Sequence, residues 1–462
     1  MEKKINLQKK KIASSFRDPS GFLFLEKGIL YRQINFSYKE HYDHLINSGL
    51  FKLLVEKKLL ISHQESALEN RFSEEAYRII QPEFIRFISY PYEWCFGQLK
   101  DAGLAALQIQ KYALEHGMVL KDASAYNMQF VRGKPALIDT LSFETYKEGE
   151  PWIAYRQFCQ HFLAPLALMS YRDIRLAQLL RIYIDGIPLN LASSLLPVSS
   201  LLNLSLYAHI SLHARARNRA TKQASRPKSF LSKKLLFALI DNLESAIMSL
   251  KWELKKTEWG NYYNKNNYSS EAFVGKKKII EVFLEEIKPK QVWDIGGNTG
   301  VFSRIASAKG IETICFDIDP AAIEKNYFEA RANGEENILP LTLDLANPSP
   351  AVGWANKERD SLQERGPADI VFALALIHHL VVTFNIPFED IAEFFSDIGK
   401  SLIVEFVPSG DSQLQRMLAS SAKVFPNYTQ ENFENAFQKY FLIKDIKQIQ
   451  DSKRIIYLMK KR

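Results

Sequence analysis

The stretch from Val292 to Ala306, VWDIGGNTGVFSRIA, is an apolar run ending in an acid, followed by a glycine-rich turn and the start of a helical pattern. Its spacing, Asp-x-Gly-x-Asn-x-Gly, is not the G-x-G-x-x-G of a dinucleotide site. From about residue 250 to the end, strand-like and helix-like segments alternate, which predicts a mainly parallel sheet. The expected strands are Gln291–Ile295, Thr313–Asp317, Leu339–Leu343, Asp369–Ala373 and Ser401–Phe406. Two last strand patterns, YFLIKDIKQI and RIIYLMKK, are separated only by QDSK. So short a joint permits only an antiparallel hairpin. The expected fold class is α/β, a doubly wound sheet closed by that hairpin.

In such sheets the ligand lies at the carboxyl ends of the strands, near the point where strand order reverses. Gly296, with Gly297 beside it, and Gly300 let the backbone approach a ligand closely. Asn298 stands where a further glycine would make the turn, and Asn best tolerates the left-handed conformation. Asp294 ends the first strand, where an acid repels a pyrophosphate and attracts a cationic amino group. Asp317 lies 23 residues further on, at the end of the next strand, near the interval at which an acid binds ribose hydroxyls. Asp344 follows the third strand, placed to accept from an exocyclic amine. Three acids at successive strand ends suit a nucleoside with a cationic amino-acid tail, which describes S-adenosylmethionine.

Residues 285–462 resemble the class I S-adenosylmethionine-dependent methyltransferases, through DIGGNTG, FDIDP, LDLA, ALALIHHL and the closing hairpin. The resemblance implies a Rossmann-like seven-stranded sheet. It also implies a cofactor site at Asp294, Gly296, Gly297, Asn298, Gly300, Asp317, Ile318, Asp344, Leu345 and Ala373, with the methionine moiety near Asp294 and Gly296, the ribose at Asp317 and the adenine around Asp344. Asn298 departs from the family's usual glycine but tolerates the same backbone conformation. His378 and His379 follow the fourth strand, where the family's substrate faces the methyl. A histidine there is a sensible proton acceptor, and either is equally readable as a packing residue. Glu405 ends the fifth strand, as a third catalytic candidate or as a structural acid. The family's Asn/Asp-Pro-Pro-Tyr signature of nucleic-acid amino methylation is absent, so nucleic acid is not the expected partner. Trp259, Tyr262, Tyr263 and Tyr268 ahead of the first strand are readable as a cofactor lid or as plain packing, and residues 407–429 as a pocket wall.

The first two hundred residues carry Asp122, Asn127 five positions later, and Asp139 twelve beyond that at the end of an apolar run. A loop Asp and Asn followed by a strand-borne Asp can position a hydroxyl and hold Mg²⁺ around nucleotide phosphates. With the long helical pattern before them, these residues resemble the protein-kinase-like and aminoglycoside-phosphotransferase-like fold, an α+β domain over residues 20–210. The resemblance implies Asp122 as a catalytic residue, and Asn127 and Asp139 as Mg²⁺ ligands with ATP, only if that domain is active. The departures point to a degenerate domain: Lys121 precedes Asp122, no glycine-rich phosphate loop is evident, and Arg32 stands where a phosphate-binding Lys is sought. The expected division is 1–213 kinase-like, 214–250 a basic linker and connecting helix, and 251–462 the methyltransferase domain. As a whole the chain resembles a bacterial group likened to nodulation-type methyltransferases that decorate carbohydrate signals. Methyltransferase–kinase fusions of lipopolysaccharide chain termination resemble it too, with the domains in the other order. The expected acceptor is therefore a saccharide or glycolipid hydroxyl, or another small molecule. The enzyme rival is a bifunctional kinase–methyltransferase, and the non-enzyme rival a cofactor-binding scaffold.

The formal charge of +8 is uneven, since residues 215–234 hold eight Lys/Arg and no acid. That run is readable as a solvated linker or as contact with an anionic membrane surface. Residues 186–214 contain no Asp, Glu, Lys or Arg, yet two prolines and ten Ser, Asn and His residues make a lipid-facing helix costly. Buried or interfacial helices are expected there, not a transmembrane one. Three scattered cysteines argue against a disulfide scaffold. The charged start, without an apolar run, is not a secretory signal. A cytoplasmic protein, peripherally associated with the inner membrane face, is the expectation.

Overall fold

The computed structural model describes residues 10–66, 73–212, 231–253, 269–420 and 425–462. The chain forms two compact units. The first is Met1–Glu253 together with the short segment Val352–Arg359; the second is Leu254–Ala351 with Asp360–Arg462.

The first unit begins with five strands: β1 (Lys10–Lys11), β2 (Gly21–Glu26), β3 (Ile29–Asn35), β4 (His63–Glu65) and β5 (Ala76–Pro82). They form an antiparallel sheet in the order β1-β2-β3-β5-β4. Only Lys27 and Gly28 join β2 to β3, both at positive φ, the geometry of a two-residue turn that matches strand twist. The helix Phe96–Glu115 buries Leu99, Ala102, Ala106, Leu107 and Ile109 among others, so it is apolar around much of its circumference and runs through the core. After it come β6 (Met118–Leu120), β7 (Met128–Val131), β8 (Lys134–Leu137) and β9 (Phe143–Thr145), paired as β6-β9 and β7-β8. Helices follow to Ser249. The uncharged segment 186–214 breaks into short helical pieces, Leu189–Leu195, Val198–Leu202, Leu204–Leu206 and Tyr207–Leu212. Among the described residues no helix is long and apolar enough to cross a membrane. The unit is completed by Val352–Arg359, where Glu358 pairs with Arg17 at 2.8 Å and the Arg359 guanidinium lies 4.7 Å from the Tyr126 ring centre.

The second unit holds β10 (Gln291–Ile295), β11 (Glu312–Asp317), β12 (Ile338–Thr342), β13 (Ile370–Ala373), β14 (Ser401–Phe406), β15 (Phe441–Gln448) and β16 (Ile455–Lys461). They form one seven-stranded sheet, ordered β12-β11-β10-β13-β14-β16-β15. β10 to β14 are parallel, and β16 runs antiparallel between β14 and β15. Because β11 lies on one side of β10 and β13 on the other, the strand order reverses there, and a crevice opens at the carboxyl end. The strands begin and end within one residue of the sequence-based expectation.

Near-continuous apolar strands need cover on both faces. One face is packed by the helix Ser270–Ile287, whose Ile280, Phe283 and Leu284 join Val292, Ile370, Phe372 and Ile403 in a buried cluster. Its start is capped by Ser269, whose hydroxyl accepts the Ala272 N–H. The helix Pro320–Asn333 starts with Asp319 accepting the Ala321 N–H and stops at Gly334 with φ +65°, a left-handed C-terminal stop. Ile403 is fully buried in the middle of β14. Ile403→Ala is expected to lower the stability of the second unit by about 2–5 kcal/mol, read as an earlier denaturant midpoint with unchanged slope.

Candidate active site

The crevice beside β10 is a cavity of about 580 Å³, within the size range of small-ligand sites. Its floor is the turn after β10. Gly296, Asn298 and Gly300 take φ of +77°, +51° and +80°, so Asn298 adopts the left-handed backbone that the sequence pattern implied for it. Its N–H donates to Asp317 Oδ2 at 2.8 Å, and its own Oδ1 accepts the Thr299 N–H at 2.9 Å. Gly297 is a matter of room: a Cβ there would lie 2.6 Å from Cys315 Sγ and 2.8 Å from Asp294 Oδ2.

Asp294 lines the cavity but is almost wholly buried, and Ser303 Oγ donates to its Oδ2 at 2.6 Å. Burial raises its pKa to about 6, against the lowering effect of Ser303 and Lys276. Asp317 is likewise pushed up to about 6 by burial, opposed by the N–H groups of Asp319 and Asn298. Asp344 is half-buried in the wall and accepts the Ala346 N–H at 2.9 Å. Ile318 and Leu345 line the same wall, Ile318 half exposed. Leu376 lines the cavity too, beside Ala375 at φ +52°. An alanine held there is strained, and the strain sets the direction in which the chain leaves β13.

Two residues expected at the cofactor do not line the cavity. Gly300 faces Asn326 and Arg304, where a Cβ would lie 2.5 Å from Asn326 Nδ2; it serves the turn's packing. Ala373 is buried in β13, and its neighbours Leu374 and Ala375 reach the cavity instead. The histidines separate. His379 lines the cavity with its pKa lowered to about 4 by burial, then by Arg454. His378 is buried, its ring centre 4.2 Å from that of His379 with the planes tilted by 39°, and held well below the usual range by burial. Glu405, expected at an acceptor, is fully buried and off the cavity wall. It accepts from Lys276 Nζ at 2.6 Å, and Arg454 Nη1 lies 3.4 Å away. Arg454 also holds Asp411 at 2.8 Å. Glu405 is thus part of a buried ionic cluster, the structural of its two sequence readings.

The sequence reading missed Lys276, which lines the cavity at 2% exposure with its ammonium 4.4 Å from the Phe302 ring centre. A signal was there: Ala272, Lys276, Ile280 and Phe283 fall on one helical face, so a lysine occupies a core-facing position. Arg454, at the start of an ordinary strand pattern, had none. The aromatic segment Trp259, Tyr262, Tyr263 and Tyr268 lies outside the described residues, as does most of the basic run.

In the first unit Asp122 accepts from the Ser124 N–H at 3.0 Å and from Gln157 at 2.8 Å. Burial and then nearby Asp139 raise its pKa. Asp139 is bonded by Arg32 Nη1 at 2.6 Å and Ser142 Oγ at 2.7 Å. The three residues are close in the fold, and a guanidinium compensates Asp139 where an active kinase-like domain would need a divalent cation. Among the described residues no group of three or more His, Cys, Asp or Glu is arranged to hold a metal ion. This geometry gives ATP and Mg²⁺ no support.

Residues 268–449 match a family model described as a methyltransferase domain. The chain is 34% identical, over 97% of its own length and 95% of the relative's, to nodulation protein NoeA of Rhizobium meliloti. Among solved structures it resembles magnesium protoporphyrin IX methyltransferase from Synechocystis with bound S-adenosylmethionine, at 16% identity and TM-score 0.31, covering 44% of this chain and 89% of that one. It also resembles the N-methyltransferase NodS from Bradyrhizobium japonicum, at 10% identity and TM-score 0.31, covering 42% and 98%. The protein is an S-adenosylmethionine-dependent methyltransferase. The chain belongs to the family of nodulation protein NoeA.

Glu405→Gln leaves Lys276 and Arg454 buried against a neutral amide. It is expected to cost about 3–5 kcal/mol, seen as a lower melting temperature of the second unit, while Glu405→Asp costs less.

Proposed function

We propose that the second unit methylates a hydroxyl of a saccharide or glycolipid, and that the first unit, read as a degenerate kinase-like domain, selects the acceptor. The observation that carries the cofactor side is a cavity at the strand-order reversal lined by acids at or just beyond the carboxyl ends of three neighbouring strands. The acceptor side rests on the resemblance to nodulation-type proteins that decorate carbohydrate signals.

The cavity's side chains fit the cofactor's parts. Asp294 and Lys276 present an anion and a cation together at the deep end, complementary to the ammonium and carboxylate of an amino-acid tail. Asp317 accepts from the ribose hydroxyls, and Asp344 from the adenine amine. Ile318 and Leu376 offer apolar surface to the ring. Bound there, the cofactor supplies an electrophilic methyl. His379 then faces the acceptor: burial keeps its imidazole unprotonated near neutral pH, so a ring nitrogen is available to take the hydroxyl proton. With basicity this low, holding the acceptor in line contributes more to the rate than proton abstraction.

Calorimetric titration of S-adenosylmethionine into wild type and Asp317→Asn tests the cofactor side. Wild type is expected to bind and the variant to lose at least about tenfold in affinity, the scale of one buried charge-assisted hydrogen bond. Transfer of radiolabelled methyl to glycan or lipid fractions then tests the acceptor; label found only in nucleic acid or protein would sink the saccharide reading.

The pH dependence follows in sign. Carboxyls raised to about 6 favour the folded state when protonated, so their contribution to stability is complete below about pH 4 and is lost as pH rises through 6. Binding an ammonium and hydroxyl donors requires the ionised forms. Cofactor affinity is therefore expected to rise about tenfold or more from pH 5 to pH 7, with proton release visible in buffers of different ionisation enthalpy. A flat profile would remove both acids from the binding scheme.

A further inference from the structure

The lining of the cavity changes character across the sheet. At or just beyond the ends of β12, β11 and β10 it carries Asp344, Asp317 and Asp294. On the far side of β10, where the chain continues from β13 and β14, the described lining residues run from Leu374 to Met417 and include no Asp, Glu, Lys or Arg. Around His379 they are Leu380, Val382, Thr383, Phe384 and Met417. Lys276 reaches this side too, but its ammonium donates to buried Glu405 at 2.6 Å. Arg416, next to Met417 in the chain, is exposed and is not part of the lining.

Two helices set this surface. The first, Ile377–Val382, carries His379, Val382 and the following Thr383 at the i, i+3, i+4 spacing of one helical face. Phe384 comes directly after it, lining the cavity while 44% exposed, and so stands at the cavity's open edge. The second helix, Ser412–Ser420, packs against the first. Its Leu414 is fully buried, and Met417, on the same face, lines the cavity.

With the acids of β12 to β10 given to the cofactor, as proposed above, this apolar side is left for the acceptor. A charged acceptor group would lose its water there without gaining a counter-ion. A free saccharide fits little better. Each of its hydroxyls needs a partner once buried, and among the side chains named only His379 and Thr383 offer polar atoms. An alkyl chain needs no partner and gains by leaving water. We propose that Phe384 and Met417 seat an alkyl portion of the acceptor, which is therefore an uncharged lipid-linked saccharide. Its reacting hydroxyl lies at His379 and Thr383, and its chain crosses the apolar rim. Of the two acceptor classes, the glycolipid is the one this surface takes.

Calorimetric titration into the full chain, saturated with the demethylated product S-adenosylhomocysteine, tests this. The probes are n-octyl β-glucoside, methyl β-glucoside and n-octyl β-glucuronide, each below its micellar concentration. The octyl glucoside is expected to bind at least about tenfold more tightly than the methyl glucoside, which lacks the chain. It is expected to exceed the glucuronide by a similar factor, because the carboxylate has no counter-ion. Phe384→Ala with Met417→Ala is expected to lose the preference for the chain, with S-adenosylhomocysteine affinity and melting temperature unchanged. Phe384→Lys is expected to narrow the gap between glucoside and glucuronide, a gain that misfolding does not produce. The proposal is overturned if the octyl glucoside does not bind the loaded protein, if either other probe binds as tightly, or if the double variant keeps the preference. Failure of S-adenosylhomocysteine to bind wild type removes the cofactor reading and this assignment with it. Product binding without any preference among the probes removes the acceptor assignment alone.

Discussion

One hydrogen bond organises the methyltransferase site: the Asn298 N–H donating to Asp317 Oδ2 at 2.8 Å. It fastens the turn after β10 to the end of β11, and it exists only because Asn298 holds a left-handed backbone that most side chains resist. From it the rest of the floor follows. The glycines on either side let the chain reverse beneath the cavity. Asp317 is held almost buried with its other oxygen on the Asp319 N–H at 2.8 Å, and Asp319 in turn caps the next helix. A binding acid, a turn and a helix start thus share one bonded path.

Beneath that floor lies a second arrangement of a different kind. Lys276, Glu405, Arg454 and Asp411 form a chain of charges from a helix, a strand and two loops, reaching from the cavity wall into the core. Buried charges are stable only when paired. Each member here is held in place by its neighbours, so Lys276 is presented to the cavity at a fixed depth. Burial lowers its pKa while Glu405 raises it.

What was legible in the sequence divides along physical lines. The parallel strands and the closing hairpin were readable because fully buried strands are apolar throughout and a four-residue joint has few geometries. Asp294, Asp317 and Asp344 were readable because strand ends place them. Lys276 was partly readable, as a lysine in a core-facing helical position. The distinction between His378 and His379 was not, because it depends on the direction in which the chain leaves β13 at Ala375, and a φ of +52° in alanine has no sequence signature. The choice between the two readings of Glu405 was not legible for a related reason: its surroundings are set by Arg454, 49 residues later and brought alongside by strand pairing. In the first unit, Asp122, Asn127 and Asp139 were grouped correctly in space, but the Arg32 that bonds Asp139 comes from β3, too far back in the chain for spacing to show it.

The first unit's closing segment, Val352–Arg359, bears on the order of events during synthesis. About a hundred residues of the other unit are translated between Glu253 and Val352, including β10, β11 and β12. The partner of Arg17, Glu358, and the cation over Tyr126, Arg359, leave the ribosome only after the residues of those strands. A unit at the amino end of a chain ordinarily folds before its successor. Here its last pieces arrive inside the successor's sequence, so neither unit can finish while the ribosome is still short of residue 359.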